Sequence, residues 1–417
     1  MIKKYLCIAA LILAANVSYS QSPVDEFNSG SVYDVFGIGH LNYSTSLRSS
    51  AMGIQGISLP GNYINNLNPA VRYQLPNTTF TLMFNYDMMK SSNATKSVNS
   101  SNANPLGVNI GIPFSQKNGL VMGLGFNPYS TISYNFQKSN VTNGINTIET
   151  YAGKGGVSQL NAGLSYAPIK GFNIGADYIF SFGNIKDLTY VNFQTAGVTN
   201  TTKIRENDFQ SSGFRGGVVI DFEKLTNSRS VKDFYIGFFY ESKLNLNSKT
   251  DGIFGSSLPN DTISISEGDV TIPSRMGFGI SKKIGNRYLL SSDVLLQNWE
   301  NFTVLGVVQS SYKTSMRAGL GVEIQPLDGG SGINKFPIRL GVFYENSYFK
   351  VNGQSVDRYG VSTGIGIPLS NYNSFDLAFT FSRRGNTDPG LVKEDMLSLS
   401  AGLNFGELWF IRRNNEK

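Results

Sequence analysis

Few residues in this chain could do covalent chemistry. It holds one histidine, His40, and one cysteine, Cys7. A histidine-dependent hydrolase would need its serine on a sharp strand-to-helix elbow, and no helical periodicity beyond the leader is sustained enough to follow one. His40 therefore reads as a hydrogen-bonded structural residue. No cluster of histidines or carboxylates has the spacing of a metal site. The sequence points to no enzyme and to no cofactor. Two arginines, Arg48 and Arg72, carry planar forks that suit a carboxylate at any relevant pH. They could bind a carboxylate head group, or form structural pairs with glutamates. The apolar residues around them, Leu41, Met52, Ile54, Leu59 and Leu67, could line a greasy pocket or simply pack together.

The elements that must position these residues begin with an export signal. Lys3 and Lys4 form a basic start, Leu6 to Val17 an apolar stretch, and Ser18-Tyr19-Ser20 offers small residues for cleavage before Gln21. The apolar stretch is too short to span a bilayer as a helix. Cys7 lies within this leader, so the mature chain has no thiol and no disulfide. The net charge of +6, lowered by the two leader lysines, is mild, and the basic residues are scattered. Nucleic acid is therefore a poor partner. With 45 glycines, 12% aromatic and only 15% charged residues, the composition is that of a Gly- and aromatic-rich β protein.

The dominant period is two. Phe375, Leu377, Phe379 and Phe381 alternate with Asp376, Ala378, Thr380 and Ser382, and Ala318, Leu320, Val322 and Ile324 alternate with Arg317, Gly319, Gly321 and Glu323. A soluble sandwich also alternates. Here, however, the polar face carries repeated Gly, Arg and Glu, as a wide barrel lumen would, and aromatics gather at strand ends as girdles do. Arg317, Glu323, Arg339 and Glu345 should pair in that lumen wall. Strand cores are expected at 79–88, 107–114, 119–130, 156–167, 172–183, 211–223, 233–246, 274–284, 287–299, 314–325, 336–346, 358–369, 374–384 and 396–410. The fold class is thus all-β, a 14-stranded antiparallel transmembrane β-barrel. The Asn- and Ser-rich stretches 89–106, 131–155, 184–210 and 247–273 read as extracellular loops, some with strand extensions.

The domain reading follows: 1–20 signal peptide, 21–77 an N-terminal luminal hatch or plug, 78–410 barrel, and 411–417 a charged C-terminal tail. A periplasmic extension is the alternative for 21–77. Within the third strand, Phe126-Asn127-Pro128 stands out. Proline cannot donate a ladder hydrogen bond, so Pro128 either kinks the strand or ends it at a loop.

Three pieces of the sequence resemble the FadL family of outer-membrane hydrophobic-compound transporters, in the form common among Bacteroidota. The first is Ser49-Ser50-Ala51-Met52-Gly53-Ile54-Gln55-Gly56 followed by Asn68-Pro69-Ala70. The second is Pro273-Ser274-Arg275-Met276-Gly277-Phe278-Gly279 with Leu290, Asp293-Val294 and Trp299-Glu300-Asn301-Phe302. The third is Met316-Arg317-Ala318-Gly319-Leu320 with Pro337-Ile338-Arg339-Leu340-Gly341. The resemblance implies a fourteen-stranded barrel with an N-terminal hatch, and a third-strand kink at Phe126, Asn127 and Pro128 that opens a lateral gate. Departing from the family's usual end, Trp409-Phe410 is followed by the charged tail.

Two functions are compatible with these features. One is passive uptake of a hydrophobic, fatty-acid-like molecule across the outer membrane, through a hatch-capped pocket and the wall opening. The other is a non-transporting FadL-like barrel subunit of an outer-membrane secretion or assembly complex, with protein partners. In either case the barrel's immediate surroundings are outer-membrane lipid.

Overall fold

The computed structural model describes residues 27–407, apart from residues 29, 44, 143–144, 196, 256–260, 305–306 and 328. The expected leader cleavage site, Cys7 and the charged tail lie outside the described residues. The wall is an antiparallel sheet of fourteen strands that closes on itself. We number them β1 (Thr78–Ser92), β2 (Ser97–Ser115), β3 (Leu120–Pro128 and Ser130–Thr142), β4 (Ile145–Ile169), β5 (Phe172–Phe193), β6 (Thr201–Asp221) and β7 (Phe234–Glu241 and Leu244–Gly255). The second half comprises β8 (Asp261–Ile272 and Arg275–Ile284), β9 (Tyr288–Asn298), β10 (Thr314–Ile324), β11 (Ile338–Asn346), β12 (Arg358–Pro368), β13 (Ser374–Arg384) and β14 (Lys393–Glu407). Closure is made by β1 and β14, which pair from Thr78 opposite Glu407 to Ser92 opposite Lys393. A closed ladder leaves no edge, and that is what lets strands cross hydrocarbon.

Alternation then divides the side chains. Phe84, Tyr86, Phe278, Leu320, Val361 and Phe379 are exposed on the outer surface, whereas Asn109, Asp177, Arg215, Asp293 and Glu323 are buried within. An apolar outer belt around a polar interior is the signature of a membrane barrel, not of a soluble sandwich.

The stretches expected as loops are mostly strand. β2 already begins at Ser97, the two parts of β7 and β8 extend to Gly255 and back from Asp261, and β5 and β6 run on to Phe193 and from Thr201. These extensions are rich in Asn, Ser, Thr and charged residues, with only scattered apolar side chains such as Leu188, Phe209 and Leu246 buried, so hydrophobic alternation is weak while the backbone ladder continues. Lys186–Glu206 and Arg205–Asp187 are cross-strand ion pairs on the β5–β6 extension.

Residues 27–77 run inside this wall. They contain a short α-helix, α1 (Leu47–Ala51), two 3-10 turns (Val32–Val35 and Pro69–Gln74), and an inner two-residue strand, His40–Leu41, that pairs with Thr131 and Ser130 of β3. Met52, Ile54, Ile57, Leu59 and Leu67 are almost wholly enclosed. Inward-facing glycines make room for them. A Cβ at Gly341 or Gly321 would collide with the Met52 carbonyl, and one at Gly237 with that of Ile57. The repeated wall glycines are contact pads for the inner backbone.

Candidate functional site

The inner segment is fastened to the wall by charge. Asp293 of β9 accepts hydrogen bonds from three successive backbone N–H groups, Gln55 at 2.9 Å, Gly56 at 2.7 Å and Ile57 at 3.4 Å. Such a run of amides around one carboxylate is an anion nest. Arg48 forms a bidentate pair with Glu323 of β10, both contacts at 2.7 Å, and its third nitrogen donates to the Pro60 carbonyl. Glu323 is shared with Arg339 of β11 at 2.9 Å, and Arg339 continues to Asp376 of β13. Arg72, fully enclosed, pairs with Asp177 of β5. Arg215 of β6 donates to Glu241 and Gln159 and reaches the Asn66 carbonyl. At the far end of the barrel, Ser31 donates to Glu394, which also pairs with Arg384 at 2.7 Å.

The two arginines singled out in the sequence are thus both engaged by wall carboxylates and by carbonyls of their own segment. Arg317–Glu345 and Arg339–Glu323 form the wall pairs expected of them. Of the five apolar candidates, Leu41 borders a cavity, whereas Met52, Ile54, Leu59 and Leu67 pack in the enclosed cores.

That cavity, about 190 Å³, lies between the inner strand and the wall, bordered by His40, Leu41, Leu47, Pro105, Pro128 and Arg358 among others. A second, more polar space of about 210 Å³ lies toward the end where the chain enters the wall, beside Arg48, Arg339 and Asn404. Ser46, Leu47 and Met83 border both, so the start of α1 stands between them. Aromatic side chains pack together toward the far end: Trp299 stacks on Tyr348 at 4.3 Å, and Phe36 of the inner segment stacks on Phe349 at 4.7 Å.

Arg358 went unnoticed in the sequence. It is buried, donates to Ser382 at 3.1 Å, and meets His40 Nε2 at 3.1 Å. Among the described residues no carboxylate lies within ion-pair distance of it. Burial, and then the Arg358, Arg384 and Arg317 cations, hold the His40 imidazole well below the ordinary histidine value. The neutral ring accepts from the guanidinium through Nε2, so its proton sits on Nδ1. The only signal in the sequence was an arginine on the inward phase of β12.

Wall pairing changes beside this cavity. β2 pairs with β3 from Ser115 opposite Leu120 up to Val108 opposite Phe126, and no further. β3 breaks at Pro128–Tyr129, and its second part keeps β4 on one side while taking the inner strand on the other. The candidate gate residues Phe126, Asn127 and Pro128 occupy this break, with Asn127 buried and hydrogen bonded to Asn109 at 2.9 Å. Beyond Gly107 the wall therefore has a seam, crossed by a side-chain bond from Asn102 to Ser133 Oγ at 2.8 Å.

The model of a family described as BamG matches residues 1–416. No curated protein matches the chain. Among solved structures, a FadL homologue of Pseudomonas aeruginosa superposes with a TM-score of 0.61 at 13% identity, over 88% of this chain and 99% of that one. The toluene transporter TbuX of Ralstonia pickettii gives 0.58 at 14% identity, over 87% and 98%. The toluene transporter TodX of P. putida gives 0.56 at 13% identity, over 89% and 100%. The shared property is the fold, that of outer-membrane hydrophobic-compound channels.

Proposed function

The chain belongs to the BamG family, and from that premise we propose that it is a plugged, non-transporting barrel subunit of an outer-membrane assembly or secretion complex. The observation that carries this reading is the fastening of the inner segment. Moving the segment would strip Asp293 of its amide nest and separate Arg48 and Arg72 from their enclosed carboxylates, Glu323 and Asp177. Removing one member of a buried pair costs about 3–5 kcal/mol, and these contacts would have to break together. The two internal spaces are small and lie on either side of the start of α1, and aromatic side chains pack together toward the far end.

Native purification from the outer membrane in mild detergent, with mass spectrometry of everything recovered, tests this reading. Protein partners at fixed stoichiometry and an empty barrel are the expected result. A bound apolar molecule with no protein partner would overturn it.

One observation favours the second reading, passive passage of a hydrophobic molecule. The cavity holding Arg358 and His40 reaches the wall at Pro105 and Pro128, where the seam begins. On that reading an amphipathic ligand would enter there, its acidic end at Arg358. Its expected mark is a small molecule that co-purifies with the native barrel and is lost in Arg358→Gln.

A further inference from the structure

From the seam we infer an edge-strand docking site: the part of β2 from Ser97 to Leu106 accepts an extended segment of a partner polypeptide as an added strand. The inference rests on the subunit reading above.

Over this length β2 pairs on one side only, with β1, from Ser92 opposite Ser97 to Phe84 opposite Pro105. The ladder to β3 stops at Val108. A row of backbone donors and acceptors therefore faces the seam. Pro105 sits in this strand, which a doubly paired strand would not tolerate, and a bulge lies between Met83 and Phe84 beside it.

The level of this edge matters as much as its openness. Its partners on β1 include Phe84, Tyr86 and Met88, which are exposed members of the apolar belt. Lipid cannot satisfy backbone groups at that depth. The side chains change there as well. Below the seam the outward positions of β2 are Val108, Ile110 and Ile112; above it they are Pro105, Ala103 and Ser101, all exposed. The belt is interrupted at this strand while β1 beside it stays aromatic and aliphatic. Small residues suit the close approach of another backbone, and an added strand supplies the missing ladder. The inner strand His40–Leu41 already makes such an addition on the facing strand β3. These features select a polypeptide occupant over an acyl chain.

The test uses the mature chain's lack of cysteine. Asn102 and Ser133 are replaced together by cysteine, Asn102→Cys and Ser133→Cys, to staple the seam. A photo-crosslinking amino acid replaces Ala103 or, as a control on another part of the outer wall, Val361. In whole cells the Ala103 position should yield a discrete polypeptide adduct when the staple is reduced. Oxidation should lower that adduct at least tenfold, and Val361 should yield none of it. The reduced and oxidised forms are one folded protein, so loss of the adduct on oxidation is not loss of the barrel. An Ala103 probe that labels lipid alone, or an adduct indifferent to the staple, overturns the inference. If partners co-purify in that case, the subunit reading survives and only the edge site fails. If none co-purify, the subunit reading fails with it.

Discussion

The β10–β13 side of the barrel and the β2–β3 seam use opposite devices on the same wall. On the first, glycines on the inward phase let the inner backbone touch the strands, and Arg48, Glu323, Arg339 and Asp376 form a continuous chain of buried charge. The ladder there is complete on both edges of every strand. At the seam the ladder stops, prolines stand on both lips, and the bridging groups are neutral amides and hydroxyls. Charge pairs with short, fixed geometry hold one arrangement because separating them is costly. A single amide–hydroxyl bond contributes only about 0.5–1.5 kcal/mol and can be exchanged for another partner. The fixed side thus anchors the inner segment, and the yielding side is suited to contact.

Breaking the fixed side should produce the largest effect. Glu323→Ala removes the carboxylate partner of Arg48 and leaves Arg339 with Asp376 alone, and the barrel should lose about 3–5 kcal/mol, read as a shift in its denaturant midpoint. Asp293→Asn at the amide nest should be milder, about 1–3 kcal/mol, because a neutral oxygen still accepts from one or two of the three N–H groups. Gly341→Leu intrudes on the Met52 carbonyl. It should expose the inner segment to added protease while the wall remains resistant. At the yielding side, Asn102→Ala should cost less than about 1.5 kcal/mol and leave the inner segment protected, since only one side-chain bond is lost. The partly exposed pair Arg383–Asp395 gives the lower bound: removing it should change stability by under about 1 kcal/mol. If Asn102→Ala destabilised the barrel as much as Glu323→Ala, the contrast between the two sides would be wrong.

The wall was largely legible in the sequence, because burial on one face and lipid on the other impose a period of two. Phe375 to Ser382 shows this, and the pairs Arg317–Glu345 and Arg339–Glu323 could be anticipated from their inward phase on adjacent strands. Two kinds of information were not. The extensions of β5–β8 are rich in polar residues with only scattered apolar ones, so their sequence carries little alternation although their backbones pair. The partners of the inner arginines lie far along the chain, Glu323 for Arg48 and Asp177 for Arg72, and no local spacing connects them. Glycine was ambiguous by nature. Without a side chain, an inward glycine fits a water-filled lumen and a tight backbone contact equally well, and only the inner segment's position decides. Pro128 marked a departure from the ladder, but the matching Pro105 on the opposite lip was hidden in a stretch read as loop.

The most direct test of the plugged-subunit account is to lock the plug. Ser58 Oγ of the inner segment and Ser281 Oγ of β8 are 2.8 Å apart and buried, so Ser58→Cys with Ser281→Cys places two thiols in reach across that contact. The oxidised, locked barrel would be purified natively beside its reduced form, with partner stoichiometry and hydrophobic-compound uptake by the producing cells measured for both. The account predicts identical partner recovery and no change in uptake on locking. Uptake that falls on oxidation and returns on reduction would show that the inner segment moves to let a molecule through, and would contradict it.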